Sequence, residues 1–125
     1  AAVMCVFAPR NAAESARVLA PGGTLVVVVP TTRHLAELVG ALGMLNVDPR
    51  KEERLEAGLG SHFTRRESLL VERELRLSRD DALAAALMGP SAHHLEPDEV
   101  ERRVAALGEP IATMLSVTVG VWRVR

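Results

Sequence analysis

The sequence predicts an α/β fold in which a parallel strand pair is continued by antiparallel strands. Two apolar runs predict the parallel part, because Ala2 to Ala8 and Leu25 to Val29 have the composition of strands buried on both faces of a sheet. A change of pattern predicts the antiparallel part, because Leu69 to Leu77 and Ile111 to Val124 alternate between apolar and polar residues. We expect these last two strands to pair with each other.

Composition indicates an ordinary globular domain. The chain has 125 residues, of which 48% are hydrophobic and 25% charged, and it fits a single core. Its apolar runs are shorter than the ~20 residues of a spanning helix, and neither follows a basic leader, so we expect a cytoplasmic protein. Cys5 is the single cysteine and the net charge is −1, which argues against a disulfide framework and gives no general evidence for nucleic acid.

The first two strands are separated by a helix with clear end signals. Asn11 is a favourable N-cap with Glu14 three residues later, and Pro21 to Gly23 ends the helix in a turn. The result is one right-handed β-α-β unit. After Pro30 we expect a second helix capped by Thr32, because apolar residues recur at helical spacing at Leu35, Leu38, Val39 and Leu42.

Three further helices are predicted downstream. One starts at Asp48-Pro49, with proline at the first helical position, and stops near Gly58 to Gly60. Another starts at Ser78, where Asp81 completes a capping-box-like pattern, and runs through Leu87. The last spans roughly Pro97 to Leu107.

Four segments carry a resemblance to a known family. Ala16 to Val27, which contains Pro21-Gly22-Gly23, resembles the helix-turn-strand before the fifth strand of class I S-adenosylmethionine-dependent methyltransferases. Val6 to Pro9, Pro30 to Leu38 and Met88 to Ala92 are similar in order and spacing to the 23S rRNA guanine-N1 methyltransferases, a group that includes enzymes of tylosin-type macrolide resistance. The resemblance implies the C-terminal half of a Rossmann-like methyltransferase sheet over residues 1 to 125, with a helical insert at about 79 to 107.

The resemblance also implies partners for the full-length protein. The methyl donor would be S-adenosyl-L-methionine and the target guanine N1 of 23S rRNA. A zinc-binding cysteine module and the Gly-rich donor loop precede Ala1 in the family order, so we expect a fragment that is inactive alone. Ala2 to Ala8 would then lie at an unpaired, apolar edge, and we expect a homodimer through this first strand.

Four candidate site residues follow from the resemblance at the ends of the parallel strands. Phe7, Ala8 and Pro9 occupy the position of a motif that holds the target amino group, although its polar first residue is missing. We expect them to line the target-base or donor cleft; the end of a core strand is an equally good interpretation of Phe7. His34 matches a family histidine that would contact the donor. Without the resemblance, an exposed histidine in the first helical turn is preferred.

Met88 and Pro90 align with a family segment that overhangs the active site. We expect a lid over the target base. The alternative is an ordinary interhelical loop in which Met88 fills the core and Pro90 stops a helix. His93-His94 has no cysteine or acid at ligand spacing, so we predict no metal site in this chain. No carboxylate or histidine has a position that identifies the base for the guanine N1 proton.

The charges between residues 65 and 81 admit two interpretations. Arginines could touch phosphates, but acids are interleaved with them, so we favour a solvated, salt-bridged face. The set comprises Arg65, Arg66, Arg73, Arg76 and Arg79 with Glu67, Glu72, Glu74, Asp80 and Asp81. Two other functions stay open: a small-molecule methyltransferase of the same fold, and a non-catalytic unit that dimerises.

Overall fold

A computed structural model describes residues 1–43, 48–88 and 96–125. Its elements are β1 (Ala2–Val6), α1 (Ala12–Val18), β2 (Thr24–Pro30), α2 (Ala36–Leu42), α3 (Lys51–Leu59), β3 (Phe63–Leu77), α4 (Arg79–Met88), α5 (Pro97–Ala105) and β4 (Ile111–Val124). The predicted α/β class is confirmed. None of the helices in the described ranges is long and apolar enough to cross a membrane.

One four-stranded sheet has the order β1-β2-β4-β3. β1 and β2 are parallel, from Ala2 opposite Thr24 to Val6 opposite Val28. β4 runs antiparallel to β2, with Val27 opposite Gly120, and β3 is antiparallel to β4. The predicted parallel pair and the predicted pairing of the last strand with the alternating strand before it are both confirmed. β1 and β3 form the two edges.

Position in the sheet decides how deeply each parallel strand is buried. β2 has neighbours on both sides, and Leu25, Val27 and Val29 are buried. β1 has a neighbour on one side only, so Met4 is 71% exposed and Val6 is half exposed. Burial on both faces was therefore the wrong prediction for β1 in this chain.

Contacts divide the chain into two compact units, and β3 and β4 contribute residues to both. Unit 1 comprises 1–31, 48–71 and 117–125, and unit 2 comprises 32–47 and 72–116. The buried core of unit 1 consists of Leu19, Leu25, Val27, Val29, Leu55, Leu59, Phe63 and Trp122. That of unit 2 consists of Leu38, Leu42, Ala82, Ala86, Val100, Val104 and Ile111.

Two helix starts form as their side chains predicted. The Oδ1 atom of Asn11 accepts a hydrogen bond from the Glu14 N–H at 3.1 Å and caps α1. The Oγ atom of Ser78 accepts one from the Asp81 N–H at 3.1 Å and caps α4. Each bond satisfies a backbone donor that has no partner inside its helix.

Two other helix starts were predicted too early. α2 begins at Ala36, and Leu35, in the left-handed conformation with φ 49°, precedes it in place of the predicted Thr32 cap. α3 begins at Lys51, so Pro49 precedes the helix instead of opening it. The reason is a local turn before α3, where the Asp48 carboxylate accepts a hydrogen bond from the Arg50 N–H at 2.9 Å.

β3 is longer than its alternating pattern indicated. It begins at Phe63, six residues before the predicted start at Leu69. Phe63 is fully buried in the core of unit 1, so packing fixes the start of the strand. The polar residues 64–68 follow in extended conformation despite having no apolar alternation.

Candidate functional site

In unit 1, β1 ends in a strained turn at Phe7. Its backbone has φ 51°, and its N–H donates to the Val28 carbonyl oxygen at 3.0 Å. A positive φ is unusual for a bulky residue, and such strain tends to occur where a side chain must be held in one place. The Phe7 side chain is 51% exposed. The end of a buried core strand is therefore not an adequate description of this residue.

Ala8 and Pro9 are held against the end of β1 by their carbonyl groups. The Cys5 thiol lies 3.5 Å from the Ala8 oxygen and 3.7 Å from the Pro9 oxygen. The Arg10 guanidinium donates to the Ala8 oxygen at 3.4 Å. A carbonyl has two acceptor sites, so the Ala8 oxygen already serves as an acceptor within the chain. Cys5 is half-buried and helps to order the segment that follows it.

A groove of about 500 Å³ follows the exposed edge of β1. Its lining is mainly apolar and comes from β1, the turn after it, α1, β2 and α3, including Val3, Met4, Val6, Pro9, Leu25 and Leu59. The groove was not predicted from the sequence, because Leu59, which lines it, is distant in sequence from the residues of β1. The apolar run Ala2 to Ala8 was nevertheless its signal.

In unit 2, His34 is fixed by a backbone hydrogen bond. The Nδ1 atom of its ring accepts from the Ser116 N–H at 3.1 Å, so the neutral ring carries its proton on Nε2. Burial lowers the pKa of the His34 imidazole below its usual value of 6.5, because a charged ring loses hydration there. His34 precedes α2 instead of lying in its first turn.

Ser116 links His34 to Glu72 and Arg33 in a chain of hydrogen bonds that we call the His34 network. The Glu72 carboxylate accepts from the Ser116 hydroxyl at 2.7 Å and from the Arg33 guanidinium at 3.1 Å. Ser116 is fully buried. Three segments of unit 2 are thus joined by charge-assisted hydrogen bonds, which are stronger than neutral ones. The sequence predicted a solvated, salt-bridged face for Glu72. The ion pair with Arg33 agrees with this, but the Glu72 carboxylate is half-buried and also accepts from the Ser116 hydroxyl, which corrects the solvated part. The serine within the apolar strand β4 was the sequence signal for this contact.

A second polar contact anchors the start of α2. The buried Thr113 hydroxyl donates to the Glu37 carboxylate at 2.8 Å, and this bond lowers the pKa of Glu37. The Leu35 N–H donates to the Met114 carbonyl oxygen at 2.8 Å. Together these bonds hold the strained residue before α2 against β4 within unit 2.

The predicted lid is only partly within the described residues. Met88 is the last residue of α4 and is 84% exposed, so it is not the core residue of the alternative interpretation. Pro90 and the His93-His94 pair lie outside the described residues. Among the residues that the structure describes, no group of three His, Cys, Asp or Glu side chains could hold a metal ion.

Arg65 is engaged within unit 1. Its guanidinium contacts the carboxylates of Glu52 at 2.9 Å and Glu56 at 3.3 Å, and it lies 5.2 Å from the centre of the Trp122 ring. At this distance a cation and an aromatic face attract each other. For Arg65 the salt-bridged interpretation holds, and a phosphate contact would have to displace two carboxylates.

The described residues do not by themselves fit S-adenosylmethionine. The groove along β1 is lined by apolar side chains with Arg10, Asn11 and Ser15, and His34 is not among its lining residues. No carboxylate lines it, although an acidic side chain is the usual partner of a ribose hydroxyl in such folds. Gly22 and Gly23 form the turn before β2, where Gly22 has φ 74°. They do not form a glycine-rich loop between a strand and a helix of the kind that binds a cofactor.

Two curated proteins are similar to this chain over nearly its whole length. A Micromonospora griseorubida protein, assigned by name to the 23S rRNA (guanine-N1) methyltransferases, is 44% identical over 123 residues, 98% of this chain. The Streptomyces fradiae 23S rRNA (guanine(748)-N1)-methyltransferase is 48% identical over 118 residues, 94% of this chain. The chain spans 42% of the length of each. The resemblance indicated by the motifs is confirmed, although no family model matches the sequence.

Solved structures show the same fold. The MccD protein aligns with 99% of the chain at a TM-score of 0.50, and a Bacillus halodurans protein assigned to the methyltransferases aligns with 98% at 0.53. Both are 17% identical, and the chain covers 60% and 63% of them. The predicted Rossmann-like methyltransferase fold is confirmed, and at this identity the likeness concerns the fold alone.

Proposed function

We propose, from the homology of this chain to the 23S rRNA guanine-N1 methyltransferases, that the full-length protein methylates guanine N1 in 23S rRNA with S-adenosyl-L-methionine. The observation that carries the proposal is the 48% identity over 118 residues to a relative with that activity in its name. A small-molecule methyltransferase is less well supported, because both curated relatives are named for rRNA. Action on ribosomal RNA would place the protein in the cytoplasm.

Within this chain we assign the donor contact to His34. A ring held in one orientation with a lowered pKa is suited to a hydrogen bond in its neutral form. We assign the target base to Phe7, Ala8 and Pro9, and we retain Met88 and Pro90 as target-base contacts on the family resemblance alone. The strain and exposure of Phe7 support this assignment, because an exposed aromatic ring can stack on an unpaired base.

The chain alone is proposed to be inactive and to form a homodimer through the edge of β1. The described residues lack a complete donor site, which supports the first part. The exposed Met4 and Val6 and the apolar groove beside them support the second, because an apolar strand edge is a template for another strand.

The proposed activity is tested in cells that express the full-length protein. Reverse transcription of their 23S rRNA should stop at one guanine, since a methyl group on N1 blocks base pairing, and mass spectrometry should identify the methylated base. His34→Ala should reduce methylation by about tenfold, the effect of one lost hydrogen bond to a ligand. His62→Ala, which removes an exposed histidine outside the network, is the matched control.

The full-length protein folded but without any rRNA product would contradict the proposal. Equal methylation by the His34→Ala variant and wild type would contradict only the assignment of His34. Measuring the methyl-donor affinity of both forms separates a lost donor contact from a lost catalytic step.

A further inference from the structure

The second edge of the sheet, β3, is exposed and apolar at its centre. Leu69, Leu70 and Val71 are all exposed, Leu70 to 61%. β3 is paired only with β4 in the strand order, so its other side presents backbone donors and acceptors. Such an edge accepts another strand unless charges or strand irregularities prevent it. The charges of β3 therefore decide which strand it accepts.

Four of the seven charges of β3 are arranged symmetrically with opposite sign about Leu70. Glu67 and Arg73 lie three residues to either side of it, and Arg66 and Glu74 lie four residues to either side. If two copies of β3 pair antiparallel about a twofold axis at Leu70, Glu67 lies opposite Arg73 of the second copy and Arg66 opposite Glu74. Side chains directly opposite each other share one face and are close enough to form ion pairs.

Intramolecular contacts distinguish these four charges from Arg65 and Glu72 on the same strand. Within the described residues, none of the four has an ion-pair partner, and all four are exposed. Arg65 and Glu72 do have partners inside the chain. In the same antiparallel register they face the uncharged residues Leu75 and Ser68. Pairing about Leu70 thus supplies partners to four of the five β3 charges that have no ion-pair partner within the described residues, and it leaves the two satisfied ones alone. The fifth, Arg76, lies opposite Thr64 in this register.

The register is specified by repulsion as well as by attraction. The axis lies at the midpoint of Phe63–Leu77. A slip of two residues in one direction places Arg65 opposite Arg73, and in the other it places Arg66 opposite Arg76. Slips of one residue would oppose side chains from different faces, which strand pairing excludes. The pairing depends only on the order of side chains along one continuous strand.

We propose that two copies of this chain associate through β3, paired antiparallel about a twofold axis at Leu70. A twofold axis makes the contact isologous, so the same surface serves both copies. Leu70 faces its own copy and Leu69 faces Val71, which gives the pairing an apolar centre between the charges. The surface is separate from the edge of β1 and does not depend on methyltransferase activity.

Sedimentation measurements on charge variants test the proposal. All variants carry Met4→Lys, which places a charge on the edge of β1 and suppresses association there. In this background the chain should still dimerise. Glu67→Arg should weaken the dimer about tenfold, because it creates two like-charge contacts, and adding Arg73→Glu should restore the affinity. Glu101→Arg, an exposed acid on α5, is the control and should change nothing.

A monomeric chain in the Met4→Lys background would overturn the proposal, and so would equal dimer affinity in all variants. Circular dichroism of each variant establishes that it is folded. Restoration by the double charge exchange is the result that a merely misfolded single variant could not produce.

Cross-linking tests the register independently. In a Cys5→Ser background, Leu70→Cys should form a disulfide-linked dimer on mild oxidation, because residues directly opposite each other have Cβ atoms about 5 Å apart. Arg66→Cys should not, because its two copies would lie eight residues apart along the strand, about 26 Å. Cross-linking at position 66 that equals or exceeds that at position 70 would overturn the register.

Discussion

At the scale of single residues, His34 is held in one orientation and one protonation state. The Ser116 N–H occupies Nδ1, and protonation of that nitrogen would remove the acceptor. Burial acts in the same direction, because it lowers the pKa of the ring. Glu72 reinforces the arrangement, because its carboxylate accepts a hydrogen bond from the Ser116 hydroxyl. Arg33 in turn donates to Glu72. The arrangement therefore favours a neutral His34 at physiological pH.

A pH dependence of stability follows from the lowered pKa of His34. Between its lowered value and 6.5, the unfolded chain binds more protons at this position than the folded chain does. The contribution of His34 to the free energy of unfolding is therefore complete above pH 6.5. It is lost as the pH falls through the pKa that His34 has in the folded chain. His34→Asn should remove this dependence, because an amide oxygen can accept from the Ser116 N–H without titrating.

Urea unfolding of wild type and His34→Asn across the mildly acidic range measures this difference. The free energy of unfolding of wild type minus that of His34→Asn should decrease as the pH falls. Parallel curves would contradict the assigned pKa direction. Nitrogen chemical shifts of the wild-type ring, which distinguish the Nε2–H tautomer, provide a measurement that does not depend on unfolding.

The sequence located His34 but not what surrounds it. A histidine just after a buried strand was recognisable from the family resemblance. Glu72 and Ser116 belong to strands far away in sequence, and the pattern of either strand describes only which face a residue lies on. Their meeting with His34 depends on the pairing of β3 with β4, and residue patterns alone do not specify that register.

At the scale of elements, the position of the buried Trp122 in β4 depends on a glycine two residues before it. Gly120 lies opposite Val27, and a Cβ atom at this position would lie 2.9 Å from Nε1 of Trp122. Trp122 is buried in the core of unit 1 and has little freedom to move. Gly120→Ala should therefore destabilise the chain by about 1–3 kcal/mol, the usual range for overpacking.

Gly58→Ala is the matched control for this substitution. Gly58 lies in α3 and a Cβ atom there would meet nothing within 4 Å, so alanine should stabilise the helix by up to about 1 kcal/mol. Urea unfolding of both variants should move their midpoints in opposite directions. A urea midpoint for Gly120→Ala at or above that of wild type would contradict this prediction, because it would show that Trp122 can shift without a loss of stability.

Strands and side-chain caps were the predictable elements of this chain. Asn11 and Ser78 cap their helices as expected because their hydrogen bonds are local. The starts of α2 and β3 were not predictable, since Leu35 adopts a positive φ and Phe63 is fixed by long-range packing. Local chemistry determines the first kind of boundary, and tertiary contacts determine the second.

At the scale of the whole molecule, both sheet edges are exposed but differ in chemistry. The edge of β1 is apolar, with Met4 and Val6 exposed beside the groove, and carries no charge between Ala2 and Val6. The edge of β3 has charges on both sides of its apolar centre. An uncharged edge specifies its partner weakly, whereas a charged one specifies register. The two surfaces should therefore respond differently to salt.

Association through the edge of β1 is expected to be hydrophobic and unspecific in register. A charge in the middle of this edge opposes pairing with another strand, because it would have to be desolvated. Met4→Lys should therefore reduce the apparent molecular mass in light scattering at high protein concentration, and high salt should not reverse the change. Met88→Lys, a similarly exposed methionine in α4, is the control. A wild-type chain that stays monomeric at high concentration, or equal effects of the two substitutions, would exclude β1 as an association surface.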